Sequence, residues 1–391
     1  FKVVWAVRED GILLSLTYLK EQEVSGWTRH DTNGTVQSVC SVTEPPVDAL
    51  YMVVERLNAV NSHYFIERMD DRNWYTVEDC VCVDASLSLV QPTPAADLGA
   101  TVSGTTVNFV ADAAVFSSAS VGQVVRFGGG IVLVTAYTDS EHVTGTAILP
   151  IVATYPNDPT NTPIPQPLGS WTMTPPVTTI SGLGHLVGMT VTGLADGVPI
   201  PPVVVPASGS ITLAVPASDV VVGLPFTAQA QSLYLDTQQA PTVQGRRKTV
   251  TAVTARVEAS GSFQGGANQS DGAAQAPPTV APAWSGMVPM ATQPITYTAP
   301  GGGAVSPLFT GDVRVPIPTM WNKRGQVAFQ QTAPLPLQIL AIVPETLDGD
   351  IPDAGGSPAP TQGATMQQNS RSPTASDMQP PQGAANWLLR P

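Results

Sequence analysis

The sequence predicts an all-β protein, and three observations predict it. Apolar residues recur with a period of two in short runs, Gly and Pro cluster between those runs, and helix signals are nearly absent. Val3-Val4-Trp5-Ala6-Val7 is the first strand and feeds Arg8-Glu9-Asp10-Gly11, where Asp-Gly is a strong hairpin signal. Ile12–Tyr18 returns as the second strand, and Glu23–His30 is the third. Asp31-Thr32-Asn33-Gly34 then turns through Asn-Gly into Thr35–Val42, the fourth.

Four strands joined by tight turns within about forty residues make a meander the size of one propeller blade. Ala49–Leu57 and Ser62–Met69, separated by a polar turn at 58–61, read as part of a second such unit. A propeller needs several blades, so the others are expected upstream of Phe1. The chain opens there inside an apolar run, with neither an initiator Met nor a signal-peptide pattern.

The first unit is therefore assigned to 1–90. A Pro/Ala/Gly linker at 91–100 opens an inserted β domain, 91–176, with strands at Val121–Phe127, Ile131–Tyr137 and His142–Leu149. Gly128-Gly129-Gly130 precedes an apolar strand and not a helix, so it reads as a turn and not a phosphate loop. The Pro, Thr and Asn of 150–176 are too dense in proline for central strands. Strands resume from His185 to Phe226, with turns at Ala195-Asp196-Gly197 and Ser208-Gly209-Ser210, and continue at Arg246–Val257. Together with Val313–Val315, Gln326–Gln331 and Leu337–Val343 they form a β module over 177–258 and 305–345. The Gly, Ala, Pro and Gln of 259–304 predict an extended loop or arm, and 346–391 a flexible, solvated tail.

Composition narrows the function classes. Of 391 residues, 34 are Gly and 38 Pro, and only 12% are charged, about half the usual share for a soluble domain. No run approaches the roughly 18 to 20 apolar residues of a membrane-spanning helix. The net charge is −13, and residues 1–84 hold 14 acids against 7 bases. A chain so acidic is poorly suited to grip phosphates, because such binding releases counterions through Lys and Arg. Three cysteines, Cys40, Cys80 and Cys82, make no disulfide framework and fit a reducing compartment. His30, His63, His142 and His185 lack ligand spacing, so no metal and no cofactor is assigned, and Cys80 and Cys82 read as small buried hydrophobes.

Enzyme motifs are missing: there is no phosphate loop, no nucleophile elbow and no zinc-peptidase helix. Asp348, Asp350 and Asp353 lack the Gly and distal Glu of a calcium loop. Asp70-Asp71 and Glu78-Asp79 are acid pairs in charge-rich stretches, and spacing alone does not make two carboxylates converge. Glu55-Arg56 and Glu67-Arg68 suit cross-strand or intersubunit ion pairs. Arg246-Arg247-Lys248 is the one basic cluster. It reads as an intersubunit or DNA contact, or as charge protecting a strand edge.

Several motifs resemble one family. Trp5-Ala6-Val7-Arg8-Glu9-Asp10-Gly11, Leu13-Leu14-Ser15-Leu16-Thr17-Tyr18 and Gln22-Glu23-Val24-Ser25-Gly26-Trp27-Thr28-Arg29-His30 are similar to a signature of phage tail nozzle proteins. These are the tail tubular proteins (the tail tubular protein B-like family) of short-tailed bacteriophages. Tyr64-Phe65-Ile66-Glu67-Arg68-Met69, Gly184-His185-Leu186 and Leu194-Ala195-Asp196-Gly197 continue the pattern. Gly209-Ser210-Ile211-Thr212-Leu213, Val222-Gly223-Leu224-Pro225-Phe226 and Gly245-Arg246-Arg247-Lys248 follow in order. Leu308-Phe309-Thr310-Gly311-Asp312 and Gln331-Thr332-Ala333-Pro334-Leu335-Pro336-Leu337 complete it.

The resemblance implies propeller blades joined to β-sandwich platform modules, with long Pro/Gly-rich loops. It implies a structural virion protein without enzymatic activity, assembled in the host bacterial cytoplasm into a homohexameric ring at the distal end of the tail. The implied partners are a tail adaptor protein above, tail fibre or needle proteins nearby, and double-stranded DNA that passes through without specific binding. An acidic bore suits that passage, since fixed cations would trap phosphates. Two readings compete. A tail adhesin would bind host-surface glycan through exposed aromatics such as Trp171, Trp284 and Trp321, which otherwise pack in a core or interface. A glycan depolymerase would need two carboxylates at glycosidase separation.

Overall fold

In the computed structural model, the residues described are 2–45, 47–57, 62–70, 74, 76–151, 171–233, 235–236, 248–266, 287–292, 297–317 and 325–348. Their regular structure is antiparallel β throughout, with three short 3-10 turns and no α-helix among them. The protein is all-β, as its period-two alternation requires.

The first hairpin forms as expected. Lys2–Val7 pairs with Leu13–Leu19, closed by Arg8–Gly11 with Gly11 at φ +79°, a conformation open to glycine. Val24–His30 adds the third strand. The fourth does not join them. Thr35–Glu44 starts a second sheet with Val47–Leu57 and Ser62–Arg68, so the expected four-stranded meander is two sheets of three. The physical reason lies in the crossover. Arg56 Nη1 donates to Thr32 Oγ1 (3.0 Å) and to the Asn33 carbonyl (2.9 Å), drawing the Asn-Gly turn onto the second sheet. Between the sheets Leu13, Val36, Leu50 and Val54 form a shared core.

The insert is one six-stranded sheet, ordered Thr172–Thr174, Val124–Phe127, Gly130–Tyr137, His142–Leu149, Thr106–Ala111, Leu98–Ser103. Gly128-Gly129 is its hairpin turn, as expected. Its first hairpin corrects the sequence reading, because Leu98–Ser103 begins inside the expected linker. Thr106–Ala111 alternates strictly between exposed and buried positions, which places Val107, Phe109 and Ala111 in the core.

The next unit pairs Val198–Val204, Thr190–Ala195, Val220–Leu224 and Asp84–Ser88 in one sheet, with Val177–Ser181 and Ser210–Ala217 in a second. Strand Asp84–Ser88 comes from before the insert, so the chain enters this sheet, leaves to build the insert and returns. Asp196 and Gly197, both at positive φ, make the tight turn expected at 195–197.

In the last unit Phe309–Pro316, Lys248–Ser260 and Ile339–Asp348 form one sheet. Ala228–Gln231, Ala328–Gln331, Phe263–Gly266 and Met287–Met290 form the other. Val253, Ala255 and Val257 of the first and Phe263, Met290 and Phe329 of the second share one core. The arm expected at 259–304 therefore contributes strands at both its ends, while 267–286 lie outside the described residues. The apolar alternation that pairs Phe263 with Met290 was outweighed in sequence by the surrounding Gly and Ala. The chain also stays in a strand through Asp348, past the start of the expected tail, and 349–391 lie outside the described residues.

Candidate functional site

Of the basic cluster nominated by sequence, Lys248 alone is among the described residues. Arg246 and Arg247 lie outside the described residues. Lys248 is fully buried, and its Nζ donates to the Leu235 carbonyl at 2.8 Å. Its charge is thus held inside the fold, which corrects its expected role as an exposed contact. Trp171 is also buried, its indole Nε1 donating to the Ala96 carbonyl at 2.8 Å, so it packs in the insert core instead of facing solvent. Trp284 and Trp321 lie outside the described residues. Cys80 and Cys82 are buried, as expected, and Cys40 is exposed. Burial, with Cys82 and Asp79 nearby, pushes the Cys80 thiol well above its ordinary value. Among the described residues no group of three or more His, Cys, Asp or Glu is arranged to hold a metal.

Two polar constellations do form. The first lines a cleft of about 370 Å³ between the N-terminal sheets and strand Asp84–Ser88. Arg56 grips Glu67 through both nitrogens, Nε to Oε1 at 2.5 Å and Nη2 to Oε2 at 2.6 Å. Thr32 Oγ1 donates to Asp84 Oδ2 at 2.5 Å. His30 shares a hydrogen bond with Ser15 Oγ (2.7 Å) and stacks obliquely on Trp5, while His185 Nε2 donates to the Ala85 carbonyl at 3.1 Å. These side chains are hydrogen-bonded to one another across the cleft wall, so they tie sheets together. The ion pairs expected for Glu55-Arg56 and Glu67-Arg68 are realised in part by Arg56 with Glu67 across neighbouring strands.

The second is buried where three segments meet. Arg126, on strand Val124–Phe127 of the insert, donates Nε to Glu78 Oε2 (2.7 Å). Its Nη2 donates to Asp196 Oδ1 (3.1 Å) and Ser218 Oγ (3.0 Å). Asp219 Oδ2 lies 3.7 Å from Nε. Asp196 Oδ1 also accepts from the Ser218 and Asp219 amides at 2.9 and 2.7 Å, which locks the two turns together. The Glu78 and Asp196 side chains are each only 2% exposed. Three carboxyl groups thus surround one guanidinium. Burial opposes the charge on Arg126, but Glu78, Asp219 and Asp196 outweigh it and raise its pKa further. Burial pushes the Glu78 carboxyl up to about 7 against the pull of Arg126, and pushes Asp219 up in the same way.

Chemically this is a closed ion cluster. Of the acid pair Glu78-Asp79, Glu78 meets other carboxyl groups across a guanidinium, while Asp79 is exposed and accepts from the Thr76 amide and hydroxyl. Sequence reasoning missed Arg126, Asp196, Ser218 and Asp219 because 70 or more residues separate Arg126 from its partners in the third segment. A lone Arg in an apolar strand, Val-Val-Arg-Phe, was the one available signal.

The fold and these sites define an all-β protein whose modules are joined through buried ionic contacts. Compared with known proteins, the chain matches no family model and no curated relative.

Proposed function

We propose that the protein is a structural virion component, a subunit of a phage tail nozzle that forms a ring-shaped conduit for genome ejection. The family-like motifs spread in order over residues 1–345 supply the name of this reading. One structural observation supports it most: both outward faces of the N-terminal sheet pair carry large exposed apolar side chains. On the first sheet Val4, Leu16 and Trp27 form a row across three strands, and Val4 and Trp27 are 54% and 58% exposed. On the second, Val53 lies beside Ile66, with Tyr64 and Leu57 on the same face, and Ile66 is 79% exposed. Clusters of exposed large apolar side chains mark faces suited to being covered. Blades of a propeller, or subunits packed in a ring, meet that need. In this reading the two N-terminal sheets are successive blades, and the paired sheets of 177–224 and 228–348 are sandwich-like platform modules.

Native mass spectrometry and electron microscopy of the full chain test the proposal. A closed ring with an axial hole wide enough for duplex DNA is expected, and Trp27→Asp or Ile66→Asp should weaken it while leaving the melting of the other modules unchanged. A monomer or trimer that binds saccharide would favour the adhesin reading instead.

A further inference from the structure

The Arg126 cluster lies at the only place where the segment 74–83, the insert and the 177–224 unit are tied by charge among the described residues. The insert also packs its strand His142–Leu149 against the strand Tyr297–Thr298, and further hydrogen bonds lie where its chain enters and leaves. Leu89 N donates to the Val220 carbonyl at 2.8 Å, and Thr172 Oγ1 donates to Gln91 Oε1 at 2.8 Å. Arg126 therefore acts as a clamp between the insert and the segments 74–83 and 177–224.

The clamp is unbalanced. Glu78 faces Arg126 from the segment 74–83, Asp196 and Asp219 from the two turns, and Tyr297 from the hairpin at 297–305, with Asp79 next to Glu78 along the chain. Four buried polar atoms here have no hydrogen-bond partner: Glu78 Oε1, Arg126 Nη1, Asp196 Oδ2 and Tyr297 OH. With all three carboxyl groups ionised, the cluster holds a net charge of about −2 in a low-dielectric setting, and that is costly. One proton on Glu78 halves that charge and adds a donor to a cluster that has an orphan acceptor in Asp196 Oδ2.

We propose that this junction is a proton-operated joint: the insert is clamped to the rest of the protein when Glu78 carries a proton, and losing that proton loosens the clamp. The sign follows from linkage. Glu78 holds its proton more tightly in the closed form than in water, with a pKa of about 7 against an ordinary 4.5. Its contribution is therefore complete below about pH 4.5 and is lost as pH rises through 7. The joint is tightest in mild acid, opposite to the trend set by exposed ion pairs.

Cys80, two residues from Glu78 and fully buried in a core with Val77, Leu194 and Val305, reports opening of the segment that carries Glu78. Labelling of the native full chain is compared with the unfolded chain at the same pH, which cancels the thiol's own titration. Between about pH 5.5 and pH 8.5, protection of Cys80 should fall by about 30-fold, dropping steadily up to about pH 7 and levelling off above it. Glu78→Gln, a neutral mimic of the protonated side chain, should flatten that profile. A wild-type profile that is flat, or centred below about pH 5, overturns the proposal, as does a Glu78→Gln variant that keeps the full dependence. The wild-type curve decides the matter even if the variant does not fold.

Discussion

Met290→Ala separates two accounts of the 259–304 span. If that span is an arm reserved for assembly, truncating Met290 leaves the fold untouched. The structure says otherwise. Met290 is completely buried in a core with Phe263, Phe329 and Val253, on a strand paired with Phe263–Gly266. Its sulfur lies against Gly265, where an added Cβ would sit only 2.4 Å from Sδ. That floor is backbone, with no side chain to fold into the void, so the cavity should persist. Large-to-small changes of this kind cost about 2–5 kcal/mol, and a rigid surround points to about 3–4 kcal/mol here. With a urea dependence of about 1–2 kcal/mol per molar for a unit of this size, the midpoint of its transition should drop by about 2 M. Equilibrium unfolding followed by far-ultraviolet circular dichroism reads this directly. A loss below about 1 kcal/mol, together with loss of ring assembly, would refute the reasoning and restore the arm. Deleting 259–304 outright should unfold the last unit, since two of its strands go with it.

Three further outcomes are expected. Trp171→Ala should destabilise the insert by about 3–5 kcal/mol, through the cavity and the unpaired Ala96 carbonyl, without altering any saccharide binding; glycan titration alongside calorimetry checks both. Lys248→Ala should cost about 2–4 kcal/mol by removing a buried, hydrogen-bonded side chain, while the salt dependence of any DNA association stays the same. Acid should weaken the exposed ion pairs: Arg8 holds Asp10 down to about 2, and Arg256 and Arg314 hold Asp312 and Glu345 below the carboxylate range. Their support is present above the ordinary carboxylate pKa and is lost as pH falls. Because these pairs are solvent-exposed, molar salt should erase most of the effect on melting; an acid dependence undiminished by salt would contradict the assignment.

What the sequence determined by itself is what local geometry determines. Alternation at period two makes strands, and Asp10-Gly11, Gly128-Gly129 and Asp196-Gly197 make turns, because backbone sterics act over a few residues. The all-β class and most strand positions were therefore legible. Partner choice was not. Thr35–Glu44 leaves the first sheet because Arg56, more than twenty residues on, draws the turn away, and Asp84–Ser88 pairs beyond an insert it precedes. Burial of Lys248 and Trp171, and the meeting of Glu78, Asp196 and Asp219 on Arg126, depend on which sheets stack against which. Such contacts join residues whose separation along the chain carries no signal of their distance in space. Only the packed tertiary structure decides them, because the free energy of desolvating a charge exists only once its surroundings have assembled.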